Sequence, residues 1–440
     1  MDQKYKVWLF LSSYFVLAAC HMIRFFWGKQ VYAAFYGEVE SGRIIGRITT
    51  YSALAFCGVC MLITLTTRAR KVFRSRAIFV LMSGISLWLA WGVFSTVTGI
   101  SLFATYYAYK ELFMLAVFSS TVFMAARIIY IYDLKREFIG ITAIAIALRL
   151  LVAFVFYSEG FAGFDVLINV FSVSERLRFA YGIGHYNQAG RLCQYFFIVM
   201  AMYRTQIRTS RDPLYIFLFA MSPIVMIMLL STASRASILC LAVFWAVYYF
   251  LDSYHKTQAY TKAMFVILVL AAGMIIAASV NWAALWEYFL QSRGGNIMAA
   301  VPLLTRKGAW LTGFGFVKGD TLFDFINYGF MDNFYLLMTI QSGLIGSVVL
   351  IGGMYWAMFL YLQDIHTMNK IQRMAGALFV MLMFYGFLEN LVYGESIYDV
   401  FDWTIFILHM AERGTLRADE SYSSLRTSKL RLNLKGAVTL

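Results

Sequence analysis

The chain has 440 residues, of which 61% are apolar and only 14% charged, and its mean hydropathy is +0.70. An average soluble protein is about 45–50% apolar and about 25% charged, so much of this chain must face lipid rather than water. That excludes a soluble enzyme, a disordered chain, a disulfide-stapled secreted module and an ordinary nucleic-acid binder, and the net charge of +14 reads first as a reporter of topology.

A spanning helix needs about 20 mostly apolar residues. Runs of that kind fall at 7–27, 45–66, 77–97, 104–125, 138–157, 188–203, 214–231, 236–251, 263–282, 334–361, 374–391 and 397–410. The fold class expected is therefore all-α: a polytopic integral membrane protein of about 12 transmembrane helices, the sixth and last of them short. The first run has no small-residue cleavage site after it and reads as a retained helix. The five cysteines lie in apolar runs. Cys57 and Cys60 have redox spacing but sit inside an expected span, where packing is the simpler role.

Loop charge orients the map. The segments 1–6, 67–76, 126–137, 204–213, 252–262, 362–373 and 411–440 carry 23 Lys and Arg, and the alternate set carries 9. The excess of basic residues on cytoplasmic loops then places both termini in the cytoplasm of a multi-pass plasma-membrane protein. Residues 1–410 read as one membrane domain and 411–440 as a basic cytoplasmic tail. Two long segments, 158–187 and 283–333, are expected outside, the second a large loop before the tenth helix.

No nucleotide-binding loop, dinucleotide fingerprint or HExxH zinc helix is present in the sequence. Chemistry here would need a substrate that arrives activated. The outer segments carry the polar groups that need a reason. Residues 176–191 hold Arg176, Arg178, His185, Asn187 and Arg191, with Gly182 and Gly184 between them. They read either as interfacial anchors or as a polyanion site, because guanidinium forks match phosphate oxygens. Arg235 follows a small polar turn, Ser231-Thr-Ala-Ser, at the start of a span. It either snorkels or helps cradle an anion at the helix N-terminus. Asp332 and Asn333 open the tenth span, as a helix cap or as an acid able to take a hydroxyl proton. Gly343 and Gly346 read as close helix packing. Lys110, Glu111, Arg149 and Glu389 lie in spans, where each should find a partner or a wet cavity.

Three of these segments, in order, resemble the O-antigen polymerase and ligase superfamily, and most nearly its Wzy-type polymerases of capsule or exopolysaccharide. Gly182-Ile-Gly184-His185-Tyr186-Asn187 looks like the family's Gly-rich stretch ending in His-Pro-Asn, with Tyr in place of Pro. Thr232-Ala-Ser234-Arg235 is similar to its Ser-Arg turn. Gly313-Phe-Gly315, Asp332-Asn333 and Gly343-Leu-Ile-Gly346 resemble its closing motifs. The likeness covers roughly 176–361. Asp332 stands where the superfamily's ligases have a His, which favours a polymerase.

The resemblance implies a glycosyltransferase-C-like fold and a cell-envelope glycosyltransferase. It would transfer a growing glycan from polyprenyl diphosphate onto a lipid-linked oligosaccharide repeat at the outer face of the membrane. Arg178 and Arg235 would neutralise the leaving diphosphate, and Asp332 or His185 would deprotonate the acceptor hydroxyl. Arg176, Asn187, Arg191, Asn333 and Glu389 would bind substrate. No cofactor or metal is expected. Partners are the bilayer, the lipid-linked glycans and, in such a system, a chain-length regulator and a flippase, with no nucleic acid. A ligase of the same superfamily, a lipid-linked sugar flippase or transporter and a non-catalytic scaffold are the rival expectations.

Overall fold

The computed structural model describes residues 2–26, 38–67, 75–100, 106–156, 179–182, 186–256, 295–316, 333–363, 365–389 and 397–414. Their regular structure is helical: α1 Gln3–Phe26, α2 Glu38–Thr66, α3 Arg76–Val97, α4 Tyr106–Tyr132, α5 Lys135–Phe156, α6 Tyr186–Gln206, α7 Pro213–Ser231, α8 Arg235–Lys256, α9 Gly295–Arg306, α10 Phe334–Leu362, α11 Lys370–Leu388 and α12 at 397–414. Eight of the described helices (all but α1, α6, α9 and α12) are long and apolar enough to cross a membrane. The chain is thus a multi-pass membrane protein, as lipid leaves the backbone few options besides helices that satisfy their own hydrogen bonds. The expected span at 263–282, most of the segment 158–187 and the tail beyond 414 lie outside the described residues.

Local sequence sets the helix ends. Ser75 accepts from the Ile78 amide to cap α3, and Asn369 forms a capping box with Gln372 at the start of α11. Asp212 caps α7 just ahead of Pro213, a residue suited to the first helical position. Asp212 also takes Arg136 at 2.8 Å and the Tyr203 hydroxyl at 3.1 Å. Burial pushes its carboxyl up, but the Tyr215 amide, Tyr203 and Arg136 outweigh that and hold it below the ordinary aspartate range.

The helices alternate in direction, so the bundle has two chemically different ends. At one, Lys6 reaches the Thr66 carbonyl at 2.6 Å, Lys135 pairs with Glu412 at 2.7 Å and Arg373 pairs with Asp252 at 3.0 Å. Arg413 donates to the carbonyls of Tyr361 and Gln363 nearby. This end gathers the described parts of several basic segments. The opposite end holds the starts of α6, α8, α10 and α12 and the ends of α5, α7 and α11.

α12 is the axis of the fold. Every residue from 397 to 411 is buried. Phe401 stacks on Phe138 of α5, and Trp403 and Phe406 pack on Phe379 of α11. A helix covered all round lies inside a bundle, yet this one carries Asp399, Asp402 and His409.

α3 and α10 pack closely. A Cβ on Gly84 would come within 3.2 Å of the Gly353 Cα, so small residues bring the two backbones together. Gly343 serves otherwise than expected: at φ 65° and ψ −176° it breaks α10. The turn after α9 plugs the break. Phe314 and Gly315 amides donate to the Ile340 and Gln341 carbonyls at 2.7 and 2.9 Å, and the Leu344 amide donates to Trp310 O at 2.8 Å. The indole of Trp91 donates to Ser342 O at 2.9 Å. The carbonyls of Ile340, Gln341 and Ser342 and the amides of Leu344 and Ile345, freed by the break, are thus paired, as non-helical backbone within a membrane requires. Gly346 does meet α3, with the Trp91 ring 2.9 Å from where its Cβ would stand.

Candidate functional site: a polar ladder between α6 and α12

Asn187, Arg191 and Tyr195 recur every four residues along α6, so they line one face about 6 Å apart. Each meets a carboxyl group. Asn187 Nδ2 donates to Glu389 Oε1 at 2.9 Å, where Glu389 ends α11. One turn deeper, Arg191 pairs with Asp399 at 3.1 Å. A further turn in, the Tyr195 hydroxyl donates to Asp402 Oδ2. Asp399 and Asp402 are three apart, in the first two turns of α12, which presents both to α6.

The middle rung is enclosed. Arg191 is 2% exposed, and its guanidinium lies 5.5, 5.1 and 5.0 Å from the ring centres of Tyr195, Tyr385 and Tyr398. Three aromatic faces and one carboxylate stabilise a cation that would otherwise be costly to bury. Arg149 of α5, also buried, donates to the Gly182 carbonyl at 3.4 Å. Gly182 has φ +66°, a tight turn of the kind the sequence suggested.

The Ser-Arg turn stands beside the ladder. A Cβ on Gly190 would fall 2.6 Å from Ser234 Cβ, so the glycine lets α8 start against α6, one residue from Arg191. Arg235 is the first residue of α8 and is half-buried. Residues 179–181 are tied to the same turn: the Phe179 amide donates to Ser231 O at 3.2 Å, and the hydroxyls of Tyr181 and Ser231 are bonded. Asn333 caps α10 through the Leu336 amide at 2.9 Å and donates to Phe387 O at 3.3 Å, two residues before Glu389.

The structure therefore brings Asn187, Arg191 and Glu389 into one array, with Arg235 and Asn333 at the same end of the bundle. Arg176, Arg178, His185 and Asp332 lie outside the described residues. The sequence reading missed Asp399, Asp402, Tyr195, Tyr385 and Tyr398. Two acids three apart within an apolar run were the available clue, because carboxyls are rare in lipid without a role. Lys110 and Glu111 lie in the first turns of α4, Lys110 exposed and Glu111 half-buried.

No protein-family profile, curated protein or solved structure matches this chain.

Proposed function

We propose that the chain is a polysaccharide polymerase. It moves a growing glycan from polyprenyl diphosphate onto a lipid-linked oligosaccharide repeat at the outer face of the plasma membrane, with both termini in the cytoplasm. The observation that carries this reading is the convergence of Arg191, Arg149, the Arg235 turn, Asn333 and Glu389 at the bundle end opposite the basic one. The described parts of the segments that resemble the O-antigen superfamily support it, since Gly182, Asn187, the Arg235 turn and Asn333 lie toward that end.

In this reaction the acceptor hydroxyl oxygen bonds to the anomeric carbon of the donor sugar. The carbon–oxygen bond to the diphosphate breaks, and the hydroxyl proton passes to Asp332 or His185. Arg235 and Arg178 offset the charge that gathers on the leaving diphosphate. Arg176, Asn187, Arg191, Asn333 and Glu389 shape the surroundings that hold the substrate. The purified protein, given one synthetic lipid-linked repeat, should lengthen it. Arg235→Ala and Arg178→Ala should each slow chain growth by about 30- to 1,000-fold, the effect of losing one fixed charge-stabilising group. Growth unchanged in both at equal expression would remove them from the site.

A second reading, a transporter of the same lipid-linked sugar, draws on two observations. Ionisable groups lie buried on α5, α6 and α12, and α10 is interrupted with a loop docked in the gap. The same incubation separates the readings, because a transporter moves the glycan across the bilayer without extending it. A ligase would join it to a different carrier.

A further inference from the structure

The three rungs of the ladder are not alike. Glu389 lies at the mouth and Asp399 has Arg191, but Asp402 has no ion pair among the described residues. It is 0% exposed, its Oδ2 accepts the Tyr195 hydroxyl, and its Oδ1 is buried with no hydrogen-bond partner. An ionised carboxylate there would be a buried charge whose nearest cation is already paired with Asp399, a cost of several kcal/mol that proteins avoid by neutralising the group.

Among the described residues, Arg191 is the cation that acts on Asp402. Arg191 and Tyr195 reach Asp402 from α6, Asp399 from α12 itself and Tyr14 from α1. The Tyr14 hydroxyl is bonded to Thr142 of α5 at 2.7 Å. α5 also meets this stretch of α12 with Phe138 and, at the level of Tyr398, with the buried Arg149, and α11 meets it with Phe379. Asp399 and Asp402 thus both face the Arg191 guanidinium, which is paired with Asp399.

We infer that Asp402 is a proton-binding site in the bundle core, neutral at physiological pH, whose proton is governed by Arg191. When the proton leaves, Arg191 has two carboxylates to serve. It is drawn from Asp399 toward a group about 4.5 Å deeper along α12. Proton binding at the foot of the ladder therefore sets where the guanidinium sits at its middle. The inference stands whether the chain extends a glycan or carries one.

Infrared spectra of the purified full chain, in H₂O and D₂O across a pH series, test this without any substrate. The wild type should show at neutral pH a protonated-carboxyl band that Asp402→Asn removes. Asp399→Asn should move the titration of that band down by about 1–3 pH units, the effect of an unshared cation beside a carboxyl. Tyr195→Phe keeps the carboxyl and serves where Asp402→Asn does not fold; it should shift the band by deleting one hydrogen bond. Identical bands in the wild type and Asp402→Asn, a titration unmoved in Asp399→Asn, or a band unshifted in Tyr195→Phe would overturn the assignment.

Discussion

Arg191 and Asp399 are the pair whose loss should be felt most. Removing Arg191 leaves a buried carboxylate uncompensated, so Arg191→Ala should cost about 3–5 kcal/mol, and Asp399→Ala should cost less because Asp402 can ionise beside Arg191 in its place. The double variant should cost less than the sum of the two, because the residues act through one contact. Thermal unfolding of the purified protein in detergent measures this; an Arg191→Ala variant as stable as the wild type would mean that the pair does not hold the helices. Asn187, Arg191 and Glu389 were legible in the sequence as polar residues near span ends. Their partners were not, since Asn187 and Glu389 are 202 positions apart. Tyr195 was hidden by abundance: among 29 tyrosines, only its four-residue spacing from Arg191 and Asn187 marked it.

At the scale of elements the apolar runs were informative, because a lipid-exposed backbone has little choice but to be helical. The run at 188–203 proved to be a full helix from Tyr186 to Gln206, its polar first turns having masked its length. The break in α10 was not legible. Gly343 reads as a packing glycine until Trp310–Gly315 is known to lie against it, and that contact joins parts of the chain about thirty residues apart. Gly343→Ala should therefore be severe. The added Cβ would stand 2.2 Å from the Leu311 carbonyl oxygen, at a φ of +65°. Strain and overpacking together suggest a loss of roughly 2–5 kcal/mol. Gly352→Ala, nine residues on and with nothing within 4 Å, should be neutral or stabilising by up to about 1 kcal/mol. Equal melting temperatures for the two variants would contradict the docking of the α9 turn into α10.

For the molecule as a whole, loop charge and helix alternation agree that one end of the bundle is basic. The orientation we propose rests on that asymmetry and is open to a direct test. In a chain whose five cysteines are replaced by serine, Thr98→Cys lies on the exposed turn at the ladder end, and Ser210→Cys lies on the exposed turn between α6 and α7. A membrane-impermeant maleimide should label Thr98→Cys in intact cells and Ser210→Cys only after permeabilisation. The reverse pattern would put the ladder on the cytosolic side and remove the proposed polymerase site.

The burial of α12 has a consequence for biogenesis. The last described helix in chain order occupies the middle of the bundle, so α5, α6 and α11 are synthesised around a place still to be filled. Until residues 397–414 leave the ribosome, Arg191 lacks the carboxylate that neutralises it. Arrival of that final segment supplies both the packing partner and the countercharge that the earlier helices lack.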